Sequence, residues 1–356
     1  MHILIVGAGI GGLMTALSLE AAGFTDITIA ERTPEIRGLG VGVNLLPHAV
    51  RELTELGIAD RVAELGVEPG TLTYYNRHGQ LIWSEPRGRD AGYEWPQLSV
   101  HRGHLQLTLR DLVVERLGDV IHLGHKLVEV REGVAGGRVT GGGVATFELP
   151  DGSRTELSGD VIVAAAGLHS AARALRYPAE GAPQWGGLPP WRGTALVEPY
   201  ADGRTMVMVG DADQKFVAYP LSGPLENGMQ RLNFIAERRI AGSPGADWNR
   251  EADRGPIAEM FAGWGTEWLD IPEVIRNAEE LLEYPMVDRD AIPHWTFGAM
   301  TLLGDAAHAM YPNGSNGGSQ AILDARTLAF HLATAATIDD ALAAYEADRR
   351  PATERL

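Results

Sequence analysis

Ile3-Leu4-Ile5-Val6-Gly7-Ala8-Gly9-Ile10-Gly11-Gly12, completed by the apolar run Asp26 to Ala30 and Glu31, is the stretch that decides the fold. A short apolar strand runs into G-x-G-x-x-G and then into a helical pattern over Ile10 to Ala22. Leu13, Ala16, Leu17 and Leu19 are apolar there, and Gly23 closes the helix. Glu31 stands 19 positions beyond Gly12, at the end of the second predicted strand. Glycine patterns alone are weak, but strand, helix and acidic residue together form a dinucleotide fingerprint. Gly7 permits the tight turn, Gly9 lets backbone approach a pyrophosphate, and Gly12 lets helix and strand pack closely. The phosphates sit on the helix N-terminus, where free N–H groups and the dipole favour anions. Glu31 accepts hydrogen bonds from a ribose diol, and its charge argues against a 2′-phosphate.

Composition bounds the class. With 356 residues, 45% hydrophobic and 22% charged, the chain reads as a two-domain globular enzyme. Its 30 basic residues against 47 acidic ones give a net charge of −17, which disfavours nucleic acid and anionic membranes as partners. No apolar run reaches the roughly 18 residues of a membrane span. The absence of cysteine excludes disulfides and Cys-ligated metal or iron–sulfur centres, and no metal site is expected. A strand beginning so near Met1 leaves no room for a signal peptide, so a soluble cytoplasmic protein is expected, as monomer or homodimer.

Further along, Arg37 to Asn44 is Gly-rich without a preceding strand, and a helix is predicted over Pro47 to Leu56. Residues 70 to 100 alternate as strands, a helix follows from His104 to Leu117, and Val120 to Val163 reads as a β-meander. From Trp185 to Pro285, strand-like pieces at Arg192 to Val197, Thr205 to Val209 and Phe216 to Pro220 surround a helix near Pro256 to Trp264. This predicts an α/β fold in which a nucleotide-binding domain (1–70, 101–180 and 286–356) is interrupted by a mostly antiparallel sheet domain (71–100 and 181–285).

Two more motifs carry chemistry. Thr301-Leu302-Leu303-Gly304-Asp305-Ala306-Ala307-His308 is a buried strand ending at an aspartate placed to bind a polyol hydroxyl. It leads through Met310-Tyr311-Pro312-Asn313-Gly314-Ser315-Asn316-Gly317-Gly318 into a helix starting near Ser319, whose positive end suits an anionic ring edge. The other is Asp160-Val161-Ile162-Val163-Ala164-Ala165-Ala166-Gly167-Leu168-His169-Ser170-Ala171-Ala172-Arg173.

With the opening fingerprint, this set resembles the single-component FAD-dependent aromatic hydroxylases, the para-hydroxybenzoate hydroxylase-like flavoprotein monooxygenases. Gly38 to Val50, Trp83 to Gly88, His101 to Gly103, Trp191 to Gly193, Ala218 to Pro220, Asp247 to Arg250 and Tyr284 to Asp290 are similar to the methylphenazine-carboxylate monooxygenases among them. The resemblance implies a Rossmann-like FAD-binding domain (GR2-type) interleaved with the antiparallel substrate domain. It implies a cycle in which NAD(P)H, a transient co-substrate, reduces FAD. O₂ then adds at flavin C4a, and the hydroperoxide hydroxylates an electron-rich aromatic or heteroaromatic, phenazine-like or an aromatic acid. The flavin carries the hard chemistry, so no protein acid or base is assigned.

The resemblance places Gly7, Gly9, Gly12, Glu31 with Arg32, Gly42, Arg102, Asp305, Gly317 and Gly318 on FAD, with Pro312 and Gly314 in the loop facing the isoalloxazine. His308 reads as structural, and Arg173 orients backbone, meets NAD(P)H or forms a structural ion pair. For the flat substrate, Trp191, Tyr219 and Trp295 are candidate stacking surfaces, and Arg192 and Lys215 candidate partners for an acidic group. Two departures stand out. Ala166 replaces the family Asp before Gly167, and little chain follows Pro351, as in a truncated family member. Ala166 keeps an FAD-retaining oxidase or redox-neutral cyclase in play, and beside it a non-catalytic flavin-binding protein.

Overall fold

The opening apolar run becomes β1 (Ile3–Val6), every residue of it buried, followed by α1 (Ile10–Ala21) and β2 (Ile27–Ala30). The structure is a computed structural model describing residues 1–135, 138–185, 190–239, 250–283, 286–311 and 313–356. Then come β3 (Gly42–Leu45), β4 (Thr71–Tyr75), β5 (Leu81–Pro86), β6 (Leu98–His101) and the long helix α2 (Arg102–Leu117). Next are β7 (Ile121–His122), β8 (Val161–Ala164) and the short α3 (Ala171–Arg176). The middle of the chain supplies β9 (Pro190–Val197), β10 (Thr205–Gly210), β11 (Gln214–Pro220), β12 (Gln230–Arg238), α4 (Arg254–Met260), α5 (Ile271–Arg276) and β13 (Ala278–Glu283). The last part gives β14 (Met300–Leu302), α6 (Asp305–His308), α7 (Asn316–Thr334) and α8 (Ile338–Thr353). The predicted elements are present with ends shifted by a few residues. Strands β3, β12 and β13 and helices α3, α5 and α8 were not anticipated.

Two compact units result. The first contains Met1–Gly38, Gln106–Gln184 and Asp288–Leu356. Its six-stranded sheet runs Thr296–Phe297, β14, β8, β1, β2, β7, parallel except at the Thr296–Phe297 edge. Continuous apolar strands suit a parallel sheet buried on both faces. Register aligns Val6 with Ala30 and Ala164, and Ala164 with Leu302. The segments starting at Gly7, Glu31, Ala165 and Leu303 therefore all leave from the carboxyl edge, where open α/β sheets bind ligands.

The second unit contains Leu39–Leu105 and Trp185–Val287. Its eight-stranded sheet runs Arg250–Glu251, β13, β9, β12, β11, β10, β4, β5, with β10–β4 its parallel pair. Period-two alternation gives it two different faces. Trp191, Val207, Val209, Phe216, Ala218, Phe234 and Ala236 form one, packed with Ile257 and Phe261 of the α4 segment and Val274 of α5. Register places Trp83, Tyr74, Met208, Val217, Ile235 and Arg192 in one row across the other. Residues 39–70 cluster with this unit, whereas the sequence grouped them with the nucleotide-binding half. Their strand β3 pairs with β6, and the Gly42 N–H donates to Asn233 Oδ1 of β12 at 2.6 Å, which ties the segment to the large sheet.

Among the described residues no helix is long and apolar enough to cross a membrane. None of their side chains form a cluster able to hold a metal ion.

Candidate functional site

Glycine sterics shape the opening turn. Gly7 has φ +109°, and a Cβ there would lie 2.7 Å from the Ala165 carbonyl oxygen. A Cβ on Gly12 would sit 1.9 Å from the Gly7 carbonyl oxygen, an overlap that only glycine avoids. At Gly9 the same construction meets nothing within 4 Å, so the backbone stands clear where a phosphate would approach. No acidic side chain occupies the first turn of α1, which leaves its N–H groups and positive end available. Glu31 braces the turn. Its Oε2 accepts the Ala8 N–H at 2.8 Å, and its Oε1 accepts the Thr33 N–H at 2.9 Å and the Thr33 hydroxyl at 3.0 Å. A carboxylate offers about four acceptor positions, so one remains. Gln106 Nε2 donates to the Ala8 carbonyl at 2.8 Å. Arg32 is exposed. Its charge lowers the His169 pKa, behind burial and ahead of Arg289.

Buried charges hold the late turn. Gly304, at φ +63°, donates its N–H to Asp324 Oδ2 at 3.0 Å. His308 Nε2 donates to the same oxygen at 2.6 Å, and Arg349 Nε donates to Oδ1 at 2.7 Å. Asp324 is fully buried. Burial raises its pKa, but the His308 and Arg349 charges outweigh this and hold the carboxyl below its usual range. Burial likewise pulls His308 down, and Asp324 overrides it, so the imidazole titrates above its usual range. His308 is thus structural, as anticipated. Arg173, also buried, grips the far end, donating through Nη1 to the carbonyls of Ala306 (3.2 Å) and Ala307 (2.9 Å). It pairs through Nε with Glu180.

Asp305 itself, first residue of α6, is exposed. A Cβ on Gly317 would lie 3.6 Å from its Oδ1. Gly314 (φ +78°) and Ser315 (φ +60°) adopt left-handed conformations that launch α7, with Gly317 and Gly318 in its first turn. Gly11 and Gly304 each bring backbone close to Ala321 of α7, so the starts of α1 and α7 pack together. Pro312 lies outside the described residues, as do Asp247, Trp248, Asn249, Tyr284 and Pro285.

In the second unit, Gly40 has φ +116°, and a Cβ there would touch the Arg102 side chain at 3.6 Å. A Cβ on Gly42 would lie 2.7 Å from the Tyr219 ring and 2.8 Å from Asn233. The structure thus brings Gly42, Tyr219 and Asn233 together. Burial pushes the Tyr219 hydroxyl pKa up. Trp191 and Trp295 turn out to be core residues. Trp191 points to the sheet face opposite Arg192, and in the first unit Trp295 is enclosed between His308 and Tyr345. Asp324, Arg349, Asn233 and Glu237 escaped the sequence reading, since each acts through a partner distant in sequence.

A family model described as FAD binding domain matches residues 1–356. The chain belongs to this family. It is 39% identical to the phenazine 1,6-dicarboxylic acid hydroxylase PhzS of Lysobacter antibioticus, over 99% of this chain and 88% of that one. It is 32% identical to the aurachin C monooxygenase/isomerase of Stigmatella aurantiaca, over 98% of this chain and 85% of that one. The structure of Klebsiella pneumoniae HpxO complexed with FAD and uric acid superposes with a TM-score of 0.81 at 24% identity, covering 100% of this chain and 85% of that one. That likeness supports the fold. This member of the FAD-binding family is an FAD-dependent monooxygenase.

Proposed function

We propose that this monooxygenase hydroxylates a flat, electron-rich heteroaromatic acid of the phenazine type, using NAD(P)H and O₂. The similarity to the phenazine 1,6-dicarboxylic acid hydroxylase over nearly the whole chain carries this reading. The first unit is the FAD-binding domain and the second the substrate domain. The residues present fit FAD. Gly9 leaves the α1 N-terminus open for the pyrophosphate, Glu31 keeps one acceptor position for a ribose hydroxyl, and Asp305 presents an exposed carboxylate to the ribityl chain. The N–H groups of Gly317 and Gly318, in the first turn of α7, would meet a negative ring edge. When bound, FAD supplies the electron transfer and oxygen chemistry. The chain's own work is to bind, orient and exclude water. Ala166 abuts Gly7 and adds no charge to the phosphate turn. Small molecules in the cytoplasm, not nucleic acid, are the partners that a net charge of −17 favours.

The test mixes holoenzyme anaerobically with NADH or NADPH, with and without phenazine-1-carboxylic acid, and then admits O₂. Acid-accelerated bleaching followed by a product one oxygen heavier is expected. Bleaching that yields only peroxide overturns the substrate assignment, and bleaching by neither nucleotide overturns the reaction.

A further inference from the structure

Sterics shape the opening turn at Gly7 and Gly12, yet they leave one peptide plane within it undetermined. A Cβ on Gly9 would meet nothing within 4 Å, and glycine tolerates backbone rotation that other residues resist. The Ala8–Gly9 peptide can therefore turn at little steric cost, and a contact from outside the turn has to set it. Gln106, half-buried on α2 and part of the first unit, supplies that contact. Its Nε2 donates to the Ala8 carbonyl at 2.8 Å, across 98 positions of sequence. A trans peptide is planar, with its C=O and N–H pointing in opposite directions. Holding the Ala8 carbonyl toward α2 therefore aims the Gly9 N–H away from α2. Glu31 acts on the preceding plane, its Oε2 accepting the Ala8 N–H at 2.8 Å. Ala8 is fully buried, and both peptides that it joins are held by side chains from elsewhere in the chain.

Helix register keeps Gln106 at this post. Gln106, Leu109, Val113 and Arg116 recur at i, i+3, i+7 and i+10, which is one face of a helix. Leu109 and Val113 are fully buried on that face. At its far end Arg116 Nη1 pairs with Glu20 Oε2 at 3.4 Å. Ala8 lies just before α1 and Glu20 in its last turn, so the same face ties α2 to both ends of α1. Gln106 is the member of the face that reaches the glycine turn.

We infer that Gln106 is a positioning residue for FAD: by fixing the Ala8 carbonyl it orients the Gly9 N–H toward the pyrophosphate. The inference rests on the proposed placement of the pyrophosphate at the α1 N-terminus. Two readouts test it, the phosphorus NMR shifts of FAD in the holoenzyme and the FAD dissociation constant from titration of the apoprotein. Gln106→Leu removes the donor. It should move a pyrophosphate resonance and weaken FAD about fivefold, as the loss of one neutral hydrogen bond implies. Gln106→Ala removes the same donor with the best helix former and should give the same result if Gln106→Leu does not fold. Arg116→Met loosens the other end of the face and should leave both readouts at wild-type values, whereas Gly9→Ala should change both. Unchanged readouts in Gln106→Leu beside altered ones in Gly9→Ala overturn the inference and leave the pyrophosphate placement standing. Wild-type readouts in Gly9→Ala overturn the placement and the inference with it. Weaker FAD without a shifted resonance in Gln106→Leu also overturns the inference, because poorer packing alone produces that. An Arg116→Met variant that behaves like Gln106→Leu overturns it for the same reason.

Discussion

The two turns of the first unit both lead into a helix start, yet are built in opposite ways. The Gly7–Gly12 turn is held by local geometry, because missing Cβ atoms let one backbone segment touch the next. The Gly304–His308 turn is held by ionised side chains from α3, α7 and α8, with Asp324 accepting from three donors in the interior. Local sterics fix a shape wherever the chain is placed. A buried charge network fixes it only once the distant elements have docked.

Removing Asp324 should break this contrast most severely. Asp324→Ala leaves Arg349 and His308 buried without their counter-charge, a loss of about 3–5 kcal/mol. Urea unfolding of the apoprotein measures it, and a loss below about 1 kcal/mol would show that the network does not hold the late turn.

Gly12→Ala comes next. It forces a methyl into the Gly7 carbonyl at a cost of about 1–3 kcal/mol by overpacking, and FAD retention on a desalting column should fall with it. Wild-type stability with full flavin retention would refute the steric account.

pH probes the charged turn alone. His308 titrates above its ordinary range when folded, so its contribution is complete below the unfolded imidazole pKa and is lost as pH rises through the folded value. Asp324, held low, contributes above the unfolded carboxylate pKa and loses this as pH falls through its folded value. Stability followed between about pH 6 and pH 9 should decline on the alkaline side in the wild type and less so in His308→Asn. Equal slopes would remove His308 from the network.

Gly9→Ala sharpens the opposite end of the comparison. Its added methyl meets nothing, so folding should change by no more than about 0.5 kcal/mol, while FAD affinity drops. Unchanged affinity would mean that the phosphates do not approach there.

The same contrast explains what the sequence disclosed. The strand, turn and helix around Gly7, Gly9 and Gly12 were legible because glycine spacing alone sets that shape, and a continuous apolar strand announces a parallel sheet. Asp305 was legible as the residue after a buried strand. Asp324 and Arg349 were not, since a charged residue on a helical pattern reads as solvated face until its partner is placed. Trp191 and Trp295 failed as stacking surfaces for a related reason. Period-two alternation says that a side chain is on one of two faces but not which face is covered, and α4 and α5 decide that for Trp191. The Trp83–Tyr74–Met208 row depended on a parallel pairing of β4 with β10, which nothing local specifies.

Arg349 has a consequence for biogenesis. It lies within the final helix, yet its guanidinium completes the support beneath Gly304. On a ribosome the Gly7 turn emerges well before Arg349, so the late turn gains this support only after α8 has been synthesised. Chains that stop before Arg349 should therefore lack the support beneath Gly304.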